Sequence, residues 1–236
     1  MDLPWVLVLA GGLGTRLRPL TESLPKVLVP VRGRPFIDHL LEELARQGAR
    51  RFVLSVGHLA DAIEAHLGDG GRLGCQVRYA REDAPLGTGG AIRHALPLLE
   101  ETFVVVNGDT LLELELTALL ERHHVEAQPA TLAVVQVPDR GRYGAVHLER
   151  GRVVRFDEKR AGAGPGLING GVCVLSRSAF AAEAPDGPFS LERDLLPRWL
   201  GRIAAHEVDG FFVDMGTHEA LQELERSIER FLDRRR

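Results

Sequence analysis

The chain has 236 residues, of which 44% are hydrophobic and 26% are charged, and its 29 basic and 33 acidic residues give a net charge of −4. This is ordinary globular composition, which excludes a disordered or low-complexity chain. The slight acidity excludes the broad basic surface that nucleic acid or an anionic membrane requires, and the only basic run, at residues 234–236, is interpreted as the solvated end of a helix.

Strands and helices alternate through the first half of the chain. The apolar run at residues 5–10 ends in two glycines, which is typical of a buried parallel strand entering a loop. A helix opens at Pro35 and has apolar residues at helical spacing until Gly48. The elements predicted next are a strand at 51–56, a helix at 59–67, a strand near 75–79, a helix at about 88–99 and a strand at 103–106. Such alternation predicts an α/β sheet with helices on both faces.

The second half is less regular. Its predicted elements are a strand at 131–137, a hairpin of 147–150 and 153–157 around Gly151, a strand at 167–175, a helix from the N-cap Ser190 to Leu200, a strand at 211–214 and a terminal helix. The loop at 161–166 is too short for a domain linker. We therefore predict one domain over residues 1–236, a three-layer α/β/α doubly wound, Rossmann-like fold with a mixed sheet.

No membrane span or export signal is predicted. No apolar stretch approaches the roughly 18 residues of a spanning helix, and no basic segment or cleavage signature precedes the first apolar run. Cys75 and Cys173 are isolated, and the nine histidines form no ligand set. The adjacent His123 and His124 cannot share one helix face and are interpreted as solvated. We expect a cytoplasmic protein, and monomer and homodimer both stay open.

Two residue types are unusually rare. Lys26 and Lys159 are the only lysines among the basic residues, and Asn107 and Asn169 are the only asparagines. A surface lysine can become arginine at little physical cost, so a lysine that remains is expected where a compact ammonium is needed. The four residues are therefore candidates for functional positions.

The first strand leads into Gly11-Gly12-Leu13-Gly14-Thr15-Arg16. A dinucleotide fingerprint is excluded because Leu17 occupies the third glycine position and no acidic residue ends the second strand. A Walker motif is excluded because no Gly-Lys-Ser/Thr follows. What remains is a glycine turn with exposed N–H groups, followed closely by Arg16 and Lys26, which is suited to a phosphate chain.

The segment LAGGLGTRLRPLTESLPKVLVPV at residues 9–31 resembles the signature of the sugar-1-phosphate nucleotidyltransferases, and the resemblance covers nearly the whole chain. Later motifs follow in the family's order: PLGTGG at 85–90, NGD at 107–109, RYG at 142–144, EK at 158–159, NGG at 169–171 and DMG at 214–216. These enzymes join a nucleoside triphosphate to a sugar 1-phosphate and release pyrophosphate. The resemblance implies their nucleotide-diphospho-sugar transferase fold, with a nucleotide-binding half to about residue 110 and a sugar-binding half at about 111–236.

The resemblance also implies roles for individual residues. Arg16 would bind the β- and γ-phosphates, Lys26 would face the reacting phosphates, and Asp109 and Asp214 would hold Mg²⁺, which suits a site of few carboxylates plus waters and phosphate oxygens. Arg16, Lys26 and Asp109 are the expected catalytic residues. The nucleotide would contact Leu9, Ala10, Gly11, Gly12, Gly14, Thr15, Arg16, Glu82, Pro85, Leu86, Gly87 and Thr88. The sugar phosphate would contact Asn107, Gly144, Glu158, Lys159 and Asn169.

The same resemblance narrows the choice of nucleotide base and of sugar substrate. Residue 82 lies where the family reads the base, and its carboxylate can accept from both the N1–H and the N2–H₂ of guanine, which favours GTP. EDAPLGTGGAI, INGGVCVL and the length are most similar to the D-glycero-α-D-manno-heptose 1-phosphate guanylyltransferases. Mannose-1-phosphate guanylyltransferase, a uridylyl- or thymidylyltransferase and, remotely, a non-catalytic nucleotide-sensing module are the alternatives, although a non-catalytic module would be expected to lack Lys26, Asp109 or Asp214.

Overall fold

The computed structural model describes residues 3–233, so the predicted basic helix end at 234–236 lies outside the described residues. Among these described residues, the strands are β1 (Val6–Leu9), β2 (Pro30–Val31), β3 (Arg34–Pro35), β4 (Arg51–Val56), β5 (Gln76–Arg81), β6 (Thr102–Asn107), β7 (Thr110–Leu112), β8 (Ala130–Val137), β9 (Ala145–Glu149), β10 (Arg152–Asp157), β11 (Gly166–Ser176), β12 (Ile203–Val208) and β13 (Phe212–Asp214). The α-helices in the same range are α1 (Phe36–Arg46), α2 (Ala60–Leu67), α3 (Gly87–Ala95), α4 (Leu116–Glu126), α5 (Arg177–Glu183) and α6 (His218–Asp233).

Nine strands form one mixed sheet in the order β5-β4-β1-β6-β11-β8-β12-β10-β9. The first four are parallel to one another. β11 then runs antiparallel between β6 and β8, so that the sheet changes character beside β6. Two small ribbons, β2–β3 and β7–β13, stand apart from the sheet.

Two separate cores cover the two faces of this sheet. In β1, Val6 and Val8 belong to one core and Leu7 to the other, because side chains alternate across a strand. The first core takes residues of α1, α2, α4 and α6, and the second takes residues of α3, α5 and the segment 191–199. The predicted three-layer, doubly wound α/β fold is confirmed; its limits as a single domain over 1–236 stay a prediction.

Several predicted elements need correction. The helix expected from Ser190 to Leu200 is a π-helical turn over Leu191–Leu195 followed by a 3₁₀ turn over Leu196–Trp199. Pro197 cannot donate a backbone hydrogen bond, which accounts for the change of form. The Ser190 hydroxyl still caps this segment by accepting from the Arg193 amide at 3.3 Å. α4, α5, β7 and β12 were not predicted.

The interpretation of His123 as solvated is wrong. α4 turns its ring into the interior, where it is 3% exposed and lies within 3.0 Å of the Thr131 hydroxyl on β8 and 3.3 Å of the Ser176 hydroxyl on β11. Burial lowers the pKa of His123 to about 4. His124 is exposed, as predicted. Within residues 3–233, no helix combines the length and the apolarity that crossing a membrane requires.

Candidate active site

A pocket of about 350 Å³ opens where the parallel strands end. Its lining comes from the carboxyl ends of β1, β4, β5 and β6 and from the start of α3, and consists of Leu9, Ala10, Gly11, Gly12, Leu13, Lys26, Val27, Ser55, Glu82, Pro85, Leu86, Gly87, Thr88, Ala91, Asn107 and Asp109. The chain leaves β1 toward β4 on one side and returns to β6 on the other, and such a switch in direction creates a crevice for ligands in open α/β sheets.

The glycine turn after β1 folds back on the segment that contains Lys26. Gly14 has a φ of 61°, and a Cβ there would stand 2.9 Å from Thr21 and 3.2 Å from the Cβ of Lys26. The Thr21 hydroxyl donates to the Gly14 carbonyl at 2.8 Å. This packing fixes the turn, so that Gly11 and Gly12 face the pocket while Thr15 and Arg16 form an exposed 3₁₀ turn outside its lining.

The Lys26 ammonium contacts the Asp109 carboxylate at one end of the pocket. The two side chains are 11% and 29% exposed, so water screens the ion pair only partly. Asp109 follows β6 directly, and the Gly108 amide donates to the Leu9 carbonyl at 3.0 Å, which ties this loop to the end of β1. The structure therefore brings together the first motif and the NGD motif.

Asp214 reaches the same place from the end of β13. β13 pairs with β7, with Asp214 opposite Thr110, and the Met215 amide donates to the Asp109 carbonyl at 2.8 Å. Asp214 Oδ1 is buried and has no hydrogen-bond partner among the described residues. Burial and the neighbouring charge of Asp109 raise the pKa of Asp214, against the opposing effect of nearby cations, which include Lys26.

This pair of carboxylates fits a divalent cation. Asp214 Oδ1 is a buried oxygen without a donor, and two like charges side by side are relieved by a cation between them. Oxygen ligands from one or two carboxylates are what Mg²⁺ takes from a protein when phosphates supply the rest. Among the described residues, no cluster of three or more His, Cys, Asp or Glu side chains has a metal-binding arrangement.

Both carboxylate oxygens of Glu82 are already held inside the pocket. Oε1 accepts from the Ser55 hydroxyl at 2.6 Å, and Oε2 accepts from the Leu86 amide at 3.1 Å. The Glu82 amide donates to the Val56 carbonyl at 2.8 Å, which fixes the backbone beside the end of β4. The carboxylate thus contacts β4 and the PLGT loop, and it also lies beside the glycine turn, since a Cβ at Gly11 would stand 3.3 Å from Oε1.

The start of α3 is fastened to residues 189–192. The Thr88 hydroxyl donates to Glu192 Oε2 at 2.8 Å and accepts from the Leu191 amide at 2.9 Å. The amides of Gly89 and Gly90 donate to the Phe189 carbonyl. A Cβ at Gly89 would stand 2.0 Å from the Phe189 ring, so only glycine allows this approach. Thr88 lines the pocket, but its hydroxyl is engaged within the protein.

The residues predicted to bind the sugar phosphate divide into two groups. Asn107 lines the pocket at the end of β6. Asn169 lies on the adjacent strand β11, where its side chain accepts from the Gly171 amide of the same strand at 3.0 Å. Gly144 has a φ of 83° and packs against the Asp157 carbonyl. Glu158 and Lys159 are exposed and lie outside the lining of the pocket.

Sequence reasoning missed several residues of the site. Leu13, Val27, Ser55 and Ala91 line the pocket, and the charge of Arg142 acts on Asp214. The apolar ones leave no signal of their own in the sequence. Ser55 could have been noticed as the one hydroxyl in a strand that is otherwise apolar after Arg51, and Arg142 belongs to the RYG motif.

Comparison with known proteins gives a consistent result. Residues 5–230 match the family model described as nucleotidyl transferase. The chain is 34% identical over 96% of its length to a D-glycero-α-D-manno-heptose 1-phosphate guanylyltransferase of Aneurinibacillus thermoaerophilus, 99% of which is covered. It is 38% identical to a mannose-1-phosphate guanylyltransferase of Mycobacterium tuberculosis over 90% of its own length and 61% of that relative. The crystal structure of HddC from Yersinia pseudotuberculosis complexed with GMP-PN superposes with a TM-score of 0.86, at 34% identity, over 96% of this chain and all of that one.

Proposed function

The chain belongs to the nucleotidyl transferase family, and from that premise we propose that it transfers the guanylyl group of GTP to a sugar 1-phosphate and releases pyrophosphate. The family resemblance expected from the motifs is confirmed. The observation that supports the reaction best is the pocket at the ends of the parallel strands, which has a glycine turn and Glu82 along its walls and the Lys26–Asp109 pair at one end.

The chemistry needs positioning and charge neutralisation more than an activated nucleophile. An oxygen of the sugar phosphate attacks the α-phosphorus of the nucleotide, the bond to the β-phosphate breaks, and pyrophosphate leaves with the bonding electrons. The attacking oxygen is already anionic near neutral pH, so no general base is required. Lys26 would neutralise charge on the reacting phosphates as a point cation, and Arg16 would bind the phosphates that depart.

We propose Asp109 and Asp214 as the ligands of Mg²⁺. The partnerless Oδ1 of Asp214 and the raised pKa of that carboxyl support the proposal. Mg²⁺, when bound there, would supply positive charge to phosphate oxygens. In its absence, the Lys26 ammonium offsets part of the carboxylate charge.

The guanine assignment is supported by Glu82 and by the names of the relatives. Each carboxylate oxygen of Glu82 has one acceptor site left beside the bonds from Ser55 and Leu86, which suits the two donors on one edge of guanine. Two of the relatives compared are named guanylyltransferases. D-glycero-α-D-manno-heptose 1-phosphate is the proposed acceptor, because the relative with that name matches this chain from end to end. Glu158, Asn169 and Gly144 are the proposed contacts to the sugar and Lys159 the contact to its phosphate.

The test is a pyrophosphate-release screen of GTP, UTP, dTTP, CTP and ATP against a panel of sugar 1-phosphates. It should include the heptose, mannose, glucose and N-acetylated hexosamine 1-phosphates, with and without Mg²⁺. The expected result is the largest kcat/KM for GTP with the heptose phosphate. Without Mg²⁺, we expect no pyrophosphate release. A maximum with mannose 1-phosphate would replace the acceptor, whereas a maximum with UTP or dTTP would overturn the guanine assignment.

A further inference from the structure

Ser55 is a buried hydroxyl at the end of an apolar strand. It lies near the end of β4, between Leu54 and Val56, and is 1% exposed. Burying a hydroxyl costs about 1–3 kcal/mol unless it makes a hydrogen bond. Here the hydroxyl donates to Glu82 Oε1 at 2.6 Å, while the Ser55 carbonyl accepts from the Ala10 amide at 2.8 Å. Ser55 therefore links the glycine turn, through its backbone, to Glu82, through its side chain.

The bond from Ser55 determines how the carboxylate of Glu82 is oriented. With the Leu86 amide donating to Oε2 at 3.1 Å, one donor holds each oxygen, and rotation of the carboxylate would break at least one of these bonds. A carboxylate has about four acceptor sites. The two that remain, one on each oxygen, form a pair whose direction is set by the two donors already in place.

We propose that Ser55 is a positioning residue for base selection: it orients Glu82 so that both oxygens accept from a guanine. The inference rests on the proposed use of GTP. A ligand with two adjacent donors needs the whole carboxylate correctly oriented, whereas a single N3–H of uracil or thymine can be met by either oxygen after a small rotation. Ser55 therefore acts on the ratio of GTP to UTP use more than on turnover.

The experiment measures kcat and KM for GTP and for UTP, with one sugar 1-phosphate at saturation, in the wild type and in Ser55→Ala. The expected result is a fall of roughly tenfold in the GTP-to-UTP ratio of kcat/KM. The fall should come from KM for GTP, with kcat within about twofold of wild type. Ser55→Cys keeps the size of the side chain with a weaker donor and should lie between the two. Ser176→Ala is the control: it removes another strand hydroxyl, which contacts His123 and does not line the pocket, and it should leave the GTP-to-UTP ratio of kcat/KM unchanged.

A double-mutant cycle shows whether Ser55 acts through Glu82. Glu82→Gln alone should lower the GTP-to-UTP ratio, and adding Ser55→Ala to it should change the ratio no further. If Ser55→Ala and Ser55→Cys keep the wild-type ratio while Glu82→Gln lowers it, the inference fails and the proposed function stands. Additive losses in the double variant would also overturn it. A wild type that does not prefer GTP over UTP overturns both this inference and the proposed use of GTP, and the screen of nucleotides already detects that case. Thermal unfolding of each variant identifies a folding defect. If Ser55→Ala does not fold, Ser55→Cys is measured in its place.

Discussion

At the scale of single residues, the scarcity of lysine acquires a physical meaning at Lys26. The Cβ of Lys26 packs beside Gly14 and its ammonium contacts Asp109, with the side chain only 11% exposed, so a compact charge fits here and a planar guanidinium would need more room. We expect Lys26→Arg to lower kcat by about a hundredfold or more, because a displaced charge no longer matches the reacting phosphates. Steady-state kinetics with GTP and the sugar phosphate would measure it.

Lys159 provides the matched substitution. Lys159→Arg changes the other lysine of the chain on an exposed segment and should mainly raise KM for the sugar phosphate. If Lys26→Arg stays within about threefold of the wild-type kcat, the role of the ammonium at the reacting centre is wrong.

The carboxyl group of Asp214 is held in an unfavourable state that a metal would relieve. Burial and the charge of Asp109 raise the pKa of Asp214. At neutral pH its ionised carboxylate therefore has a higher free energy in the folded protein than in the unfolded chain, which lowers the stability of the fold. Asp214→Asn should therefore raise the unfolding temperature in metal-free buffer at pH 7 and lower turnover by several orders of magnitude. Because protonation competes with metal, the Mg²⁺ concentration for half-maximal activity of the wild type should rise as pH falls. A variant less stable than wild type would contradict this account.

His123 predicts a separate dependence of stability on pH. Its pKa is about 4 in the folded protein and near 6.5 in an unfolded chain, so unfolding takes up a proton between these values. Above pH 6.5 the histidine is neutral in both states and does not lower the free energy of unfolding. As the pH falls toward 4, the free energy of unfolding decreases by at most about 3 kcal/mol. Urea unfolding at pH 7 and pH 5 should show a smaller loss in His123→Gln than in wild type, while the exposed His124→Gln keeps the wild-type loss. Equal losses in all three proteins would exclude His123 as the source.

At the scale of elements, periodicity predicted the strands that are buried on both faces and the helices with one apolar stripe. β4 has the predicted bounds, Arg51–Val56, and α1 begins directly after Pro35. α4 was missed because one of its inward positions is His123, a residue counted as polar. β12 was missed because IAAHEV has two alanines and a histidine, which give no clear alternation. In both cases tertiary packing, and not local pattern, makes the element.

The fastening between α3 and residues 189–192 is an element-scale device with its own prediction. Thr88→Val removes the hydroxyl that donates to Glu192 and accepts from Leu191. The loss should destabilise the fold by about 1–3 kcal/mol, because the Leu191 amide and the Glu192 carboxylate lose a partner. It should also raise KM for the nucleotide several-fold, since the PLGT loop is no longer held. Chemical denaturation and kinetics measure the two effects, and Thr88→Ser, which keeps the hydroxyl, should show neither; a Thr88→Val protein with wild-type KM would show that the fastening does not shape the pocket.

The candidate site divides in the same way between what sequence can and cannot predict. The glycine turn, Lys26 and Asp109 lie in compact motifs next to strand ends, so their meeting at the sheet edge follows from the order of elements. Ser55 and Arg142 depend on which side chains face each other across loops, and a one-dimensional pattern does not contain that information. Glu158 and Lys159 belong to a motif, yet the structure leaves them exposed and outside the pocket lining.

At the scale of the whole molecule, the pocket belongs to the folded sheet and has no counterpart in the unfolded chain. A ligand that binds only the folded state stabilises it by about 2.7 kcal/mol at a hundred times its Kd, which is roughly 5–10 °C for a chain of this size. GTP with Mg²⁺ should produce such a shift in a thermal scan, and UTP at the same concentration a smaller one. Asp109→Asn should reduce the part of the shift that depends on Mg²⁺. Equal shifts for the two nucleotides would count against discrimination of the base at the binding step.

The pairing of β7 with β13 has a consequence for how the protein is made. β7 follows Asp109 immediately, whereas β13 begins about a hundred residues later, so Asp214 can reach Asp109 only after that further length of chain has left the ribosome. Strands β1, β4, β5 and β6, which shape the pocket, are synthesised earlier than β13, and domains begin to fold as they emerge. A nascent chain can thus form the cleft at the ends of its parallel strands before Asp109 and Asp214, the proposed metal ligands, come together.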